Sequence, residues 1–555
     1  MAATHSGRFI HLTADNVGAW RDYTRQCVQL LDVNRSILDS YVLDFFTEDL
    51  WSRLNPKWRA VLDKFSPCDL ASFIENGAHV KQDSPWPLSL LAFRAASHTL
   101  SLPRRAVSSA DPLLDYLNQQ VHTDSSKPAK TENNVKSCYG ESTSAPECNF
   151  KSHYDGNTMA PCCQSDDNAE GAFNVSPVEQ VSASWGDADS ELSAAAGQHK
   201  LLQHVFRRHL KPKKQHEVAR LAIVAGQVAR AACSGVMVDV GSGQGHLSRL
   251  LAYGHNVRVV SLEAEDKFIE GARKFDDQLE KAVTKMSQRQ ASLPPLPPGP
   301  RHAVCHLQAN MDPLAFTKVI TEVWPDLKSR GEVCGLLGLH TCGDLAPTLL
   351  RIYANMSACR GVVSVGCCYM KLSTSSEEVE GPGYPMSNSV KHLSGHALSY
   401  EAREVACHAV EMYTDRLSLG AENLKVHCYR ACLEQILVRR WPHHRHAGLR
   451  SVNNAHLMDF PSYAKAAITR LPNVSLLEED LTSEQTLHNL ARWQQVVVYY
   501  SLRLLLAPVV ESVVLLDRLL FLFENGLESV LFPAFDPNLS PRNHVLVSVK
   551  PSNKL

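Results

Sequence analysis

Residues 236–251 read VMVDVGSGQGHLSRLL, a short apolar run followed by glycines at three alternate positions and then by a helical pattern. Apolar residues bounded by glycine, with a 3.6-residue period resuming behind them, mark a buried strand that feeds a helix. Each glycine removes a Cβ from the turn, so the backbone can bend sharply and come close to a ligand. The dinucleotide fingerprint G-x-G-x-x-G would need a glycine at 246, where His246 stands. Asp239, Gly241, Gly243 and Gly245 instead give D-x-G-x-G-x-G. The stretch therefore predicts an α/β unit with a ligand-approaching loop and disfavours a nicotinamide dehydrogenase.

Working outward, 257–262 reads as a second strand ending in Glu263, with a helix over 266–275. Further strands are expected at 303–307, 333–339 and 361–366, and SLPPLPPGP at 292–300 is a stiff proline-rich loop. Strands separated by helices imply right-handed crossovers and a parallel sheet covered on both faces. Near the C-terminus a helix over 508–524 leads to 529–536 and 544–550, which read as an antiparallel strand pair. The expected fold class is α/β, a Rossmann-like sheet with an antiparallel terminal strand, plus a helical N-terminal domain.

Three segments are expected: a helical domain over 1–121, a disordered acidic linker over 122–198, and the α/β domain over 199–555. The α/β domain carries an insertion at about 376–495 that would cap the site. In the first segment Trp20, Tyr23, Cys27, Leu30 and Leu31 share one helical face. The linker has few large aliphatics and cannot offset its ordering entropy. It holds 12 acidic and 4 basic residues, which leaves 52 Lys and Arg against 46 Asp and Glu in the rest.

The whole chain, at 555 residues with net charge −2, is neither strongly basic nor strongly acidic. MAATHSGRFIHLTADN at the N-terminus has no apolar signal core, so the 16 cysteines are read as mostly free thiols in a cytoplasmic or nuclear protein. The apolar stretch 496–523 is broken by Arg503, Pro508, Glu511, Asp517 and Arg518 and reads as buried helix, with no membrane role.

The spacing around Gly241, Gly243 and Gly245 resembles the first motif of class I S-adenosylmethionine-dependent methyltransferases. With HTCGDL (340–345), VGCCYM (365–370), PKKQHEV (212–218), GYPMS (383–387) and AREVACHAVE (402–411), the chain resembles the methyltransferase-like protein 25 family. That family is related to proteins labelled ribosomal RNA adenine dimethylase domain-containing. The resemblance runs from about 200 to 550, and 86–104 matches too. It implies S-adenosyl-L-methionine as cofactor, with the glycine loop beneath the amino acid and ribose portions and Asp239 near the methionine moiety. Tyr369 stands where related tRNA 2′-O-methyltransferases carry a histidine, so their substrate does not transfer.

The residues themselves suggest roles. Glu263, closing the second strand, can accept both ribose hydroxyls, or it can be a solvated acid in a capping turn. Asn310 can face the adenine amino group or serve turn chemistry ahead of Asp312 and Pro313. In open α/β sheets ligands sit outside the carboxyl ends of the strands, which puts the loops at 338–347 and 364–373 on the catalytic side. Two readings stand for His340, a general base or a structural histidine, and two for Tyr369, positioning a substrate or packing.

A metal site from His340, Cys342, Cys367 and Cys368 is not expected, because C-x-x-C spacing is missing and neighbouring strand residues point to opposite faces. HHRH at 443–446 reads as an exposed loop. Arg207, Arg208, Lys211, Lys213 and Lys214 can contact RNA phosphates or simply form a solvated face. The expected function is a methyltransferase with RNA as one candidate acceptor; the alternative is an inactive methyltransferase-fold scaffold or binding protein.

Overall fold

The computed structural model describes residues 8–75, 77, 85–122, 185, 191–193, 197–200, 202–289, 296–308, 311–327, 334–375 and 381–551. Most of the stretch read as a linker, and Asn310, lie outside the described residues.

An eight-stranded mixed sheet organises the molecule. Its strands are β1 (Ile10–Leu12), β2 (Val236–Val240), β3 (Val259–Glu263), β4 (Arg301–Val304), β5 (Cys334–Cys342), β6 (Cys359–Cys367), β7 (Ser529–Pro533) and β8 (His544–Val549). They lie in the order β1-β7-β8-β6-β5-β2-β3-β4. β2 pairs in parallel with β3 and β5, as β3 does with β4 and β5 with β6. β8 runs antiparallel to both β6 and β7, and β1 antiparallel to β7. The strand order reverses between β3 and β5, on either side of β2, so a crevice opens above β2.

The period-2 alternation of the strands sorts their side chains into two cores. Val236, Val238, Val240, Leu336, Val362, Leu531 and Leu546 face one hydrophobic cluster, while Met237, Leu337, Val363, Val530, Phe532, Val545 and Val547 face the other. The second face is covered by α2 (Pro212–Ala231), α3 (His246–His255) and α4 (Asp266–Arg289). The first is covered by α5 (Pro313–Val323), α6 (Leu345–Asn355) and α7 (Trp493–Glu524), with α1 (Val17–Val33) packed into the same cluster. Cys27 and Leu31 are buried on the predicted face of α1.

Some elements differ from expectation. The helix expected to begin at Pro508 is α7, which starts at Trp493 and passes through the proline for a total of 32 residues. A proline removes one backbone donor, but nearly the whole circumference of this helix is buried, and that burial outweighs the local defect. Its charged residues are accommodated by partners: Asp517 accepts from the backbone amides of Met386 and Ser387 at 2.7 and 2.9 Å, and Glu511 accepts from the Tyr369 hydroxyl at 2.9 Å. The segment read as purely helical contributes β1, an edge strand. Among the described residues no helix is long and apolar enough to cross a membrane.

The far end of the stretch read as a linker is built into the fold. Leu192–Ser193 and Gln198–His199 form a two-stranded ribbon, Trp185 is buried, and Glu191 forms a buried ion pair with Arg220 of α2 at 2.6 Å. Trp185 is the single tryptophan of that stretch, a bulky indole in a polar context, and it is the sequence signal that goes with this docking.

Candidate functional site

All five expected and described cofactor residues gather at the carboxyl ends of β2 and β3. Gly241, Gly243 and Gly245 have φ of 68°, 56° and 66°, a left-handed conformation that L side chains rarely adopt. The loop is tied to β3: the amides of Gly241 and Ser242 donate to the Leu262 carbonyl at 2.9 and 3.1 Å, and the Ser261 hydroxyl donates to Ser242 Oγ at 2.7 Å. The three glycines are not equivalent. A Cβ at Gly241 would press on Leu345, and one at Gly245 on His302 and Ala272, whereas a Cβ at Gly243 would meet nothing within 4 Å. Gly243 is thus the point at which the backbone faces open space.

Glu263 turns toward that point. The Gly243 amide donates to Glu263 Oε2 at 2.8 Å, and the Ala264 amide to Oε1 at 2.9 Å. The carboxylate is therefore held at the tip of β3 against the glycine loop while both oxygens keep lone pairs for another donor.

Asp239 lies underneath rather than in the open. It is buried, and the Ser248 hydroxyl of α3 donates to its Oδ2 at 2.5 Å. Burial pushes its carboxyl up to about 6, with the Ser248 bond and Lys214 pulling the other way. A raised carboxyl contributes stability that is fully present below about pH 4 and is lost as the pH rises through about 6. The loss is on the order of 3 kcal/mol, since each tenfold change in proton affinity is worth about 1.4 kcal/mol. Asp239→Asn is therefore expected to match the native chain in urea-unfolding midpoint near pH 4 and to exceed it near pH 7. Equal pH slopes for the two proteins would refute this account.

On the other side of the crevice, β5 and β6 lose register between Gly338 and Thr341. His340 sits in this irregularity at φ 60°. A bulge re-aims a side chain, and here it turns the imidazole toward α2, where Nε2–H donates to Glu217 Oε2 at 2.9 Å. Glu217 is fully buried, and its other oxygen accepts from the Ser540 hydroxyl at 2.7 Å. Burial works against the charged form of His340, but Cys367 and the Glu217 carboxylate outweigh it and raise its pKa. Glu217 is held below the usual carboxylate range: burial opposes its charge, and His340, Lys213 and Ser540 overcome that. The pair is a carboxylate–histidine dyad at the sheet rim.

Glu217 and Lys214 carry no sequence signal as site residues, because PKKQHEV looks like a basic surface run. Lys214 is half-buried and lies within electrostatic range of Glu217, Asp239 and Cys367. Burial lowers its pKa, the carboxylates offsetting only part of that. The other basic residues diverge. Arg207 donates to the His199 carbonyl at 2.8 Å, while Arg208, Lys211 and Lys213 are exposed.

Tyr369 does not reach the crevice. It is 1% exposed, its hydroxyl donates to Glu511, and the Arg518 guanidinium lies 5.8 Å from its ring centroid. Its side chain packs, since the chain leaves β6 through a short turn (Tyr369–Lys371) that drives the ring into the core. His446, in the HHRH loop, donates to Asp44 at 2.8 Å.

The cysteines also depart from expectation. Cys342, Cys367 and Cys368 bring their sulfurs within 4.8 Å of one another. Strand alternation does not keep Cys367 and Cys368 apart, because β6 ends at Cys367 and Cys368 adopts φ 33°, which swings its side chain back. The Cys342 thiol, then His340, draws Cys367 well below the ordinary thiol range, while Cys342 and Cys368 are raised.

Comparison with known proteins bears on this rim. Residues 213–375 match the family model described as "Methyltransferase domain", a span that holds Lys214, Glu217, the glycine loop, Glu263, His340 and the three cysteines. "Probable methyltransferase-like protein 25" of Homo sapiens is 33% identical over 235 residues, covering 40% of this chain and 37% of that protein. Its Mus musculus counterpart is 32% identical over 232 residues, covering 40% of this chain and 38% of that protein. The matched part thus spans less than two fifths of either relative. No solved structure matches significantly.

Proposed function

We propose that this chain, which carries a methyltransferase domain and is related to methyltransferase-like protein 25, transfers the methyl group of S-adenosylmethionine to an acceptor at the rim of β2, β5 and β6. The observation that carries the reading is Glu263 locked against the Gly243 amide beside the open space over Gly243. The residues fit the cofactor. Gly241, Gly243 and Gly245 would lie beneath its amino acid and ribose portions, Glu263 would accept the ribose hydroxyls, and buried Asp239 would set a negative potential below the positive centre. Asn310 remains a candidate for the adenine. The bound cofactor supplies a methyl group already activated on a sulfonium.

The protein's part is then alignment and proton removal. His340, oriented and kept basic by Glu217, accepts the acceptor's proton at its free nitrogen. The exposed Arg208, Lys211 and Lys213 at the start of α2 are placed to contact a phosphodiester backbone, which favours an RNA acceptor. Calorimetric titration with S-adenosylmethionine is expected to give one site per chain. Incubation of labelled cofactor and purified protein with separate cellular RNA and protein fractions is expected to leave label in the RNA. An absence of cofactor binding would remove the enzymatic reading, and label confined to protein would redirect the acceptor.

A further inference from the structure

The three cysteines at the ends of β5 and β6 form a cluster that methyl transfer does not require. Cys342 and Cys367 are register partners at the last rung of the two strands, and Cys368 follows in a left-handed turn. Cys342 Sγ lies 3.4 Å from Cys368 Sγ, and Cys367 Sγ lies 3.6 Å from Cys368 Sγ. A tetrahedral zinc ion with bonds of about 2.3 Å requires sulfurs about 3.8 Å apart, so closing on an ion takes movements of a few tenths of an ångström. The supporting loops are fixed. Gly343, next to Cys342, has φ 55°, and a Cβ there would strike the Lys371 carbonyl at 2.7 Å, so the two cysteine loops are packed directly on each other.

Cys342 is exposed and the other two are half-buried, which gives an ion a path from solvent. Among the described residues no fourth His, Cys, Asp or Glu joins the group.

We propose that Cys342, Cys367 and Cys368 bind a thiophilic divalent cation of the Zn²⁺ type, with its fourth coordination position open toward the rim of the crevice. Structural zinc sites close with four protein ligands, whereas three ligands and an open position suit a water or a substrate donor atom. Binding displaces the thiol protons, and the nearby Lys214 and Lys371 ammonium groups offset the excess negative charge of three thiolates on a divalent ion. The site stands on the cysteine geometry and does not rest on the proposed methyl transfer.

The test uses the full chain, reduced and stripped of metal with a chelator, then titrated with CoCl₂ and separately with ZnCl₂. The expected result is one equivalent of cobalt, with a thiolate-to-metal charge-transfer band and the strong visible bands of a tetrahedral site, displaced by one equivalent of zinc. Cys342→Ser, Cys367→Ser and Cys368→Ser should each weaken zinc by more than the roughly 10–100-fold that loss of a mere orienting group costs. Cys68→Ser, at an exposed cysteine of the N-terminal segment, should change nothing. Circular dichroism of Cys342→Ser, the exposed position, separates loss of ligand from loss of fold. No charge-transfer band in the reduced native chain would overturn the proposal, as would a band that survives in folded Cys342→Ser.

Discussion

Glu263→Ala is expected to lower affinity for S-adenosylmethionine by about 100-fold while leaving the protein folded. Hydrogen bonds to a charged group contribute about 1.5–3 kcal/mol each, and each 1.4 kcal/mol is a factor of ten in Kd. The carboxylate at the tip of β3 offers such bonds to a diol and also holds the Gly243 and Ala264 amides. Removing it therefore loses ligand contacts and loosens the loop. Calorimetry on the two proteins measures the ratio. Glu263→Gln should fall between them, since an amide keeps one acceptor without the charge. An unchanged Kd in Glu263→Ala would mean that the crevice binds something other than an adenosyl group, or binds it elsewhere.

Glu191→Ala is expected to destabilise the chain by about 3–5 kcal/mol, because it strips the partner from a buried guanidinium. Arg220 is 2% exposed and donates Nε and Nη2 to Glu191 Oε1 at 2.8 and 2.6 Å. His216 pairs with Glu191 Oε2 at 2.8 Å, and the Arg220 guanidinium lies 5.3 Å from the Trp185 ring centroid. In the variant Arg220 keeps the Ala534 carbonyl and the indole but loses its counter-charge. Urea unfolding followed by circular dichroism reads the effect. Because Arg220 lies on α2, which also carries Lys214 and Glu217, the variant should lose cofactor affinity as its stability falls. A midpoint within experimental error of the native chain would show that the ribbon around Glu191 is dispensable.

The parts of this molecule that can be read from sequence are those governed by local pattern. Buried parallel strands announce themselves as apolar runs between glycines and helices, which places β2, β3, β5, β6 and the β7–β8 pair to within a few residues. The glycine loop and Glu263 are legible for the same reason, since their chemistry is set by position along one strand–loop–helix unit. What is not legible depends on contacts between distant segments. Nothing in PKKQHEV shows that Glu217 will meet His340, 123 residues away, because the meeting depends on a bulge in β5. Tyr369 and Pro508 owe their surroundings to burial supplied by tertiary packing, which no local pattern reveals. Cys368 joins its neighbours through one left-handed residue past the end of β6, a feature with no side-chain signature outside glycine and asparagine.

The edge strand β1 has a consequence for how the chain is made. Ile10 pairs with Leu531, and His11 bonds to Glu528 across 517 residues. At synthesis rates of about 5–20 residues per second, β1 leaves the ribosome on the order of half a minute or more before its hydrogen-bonding neighbour exists. Until then its open amides and carbonyls, and the apolar face of α1 behind it, are surfaces that a nascent-chain chaperone would have to shield. The final seam of the fold is closed only when the last strands arrive.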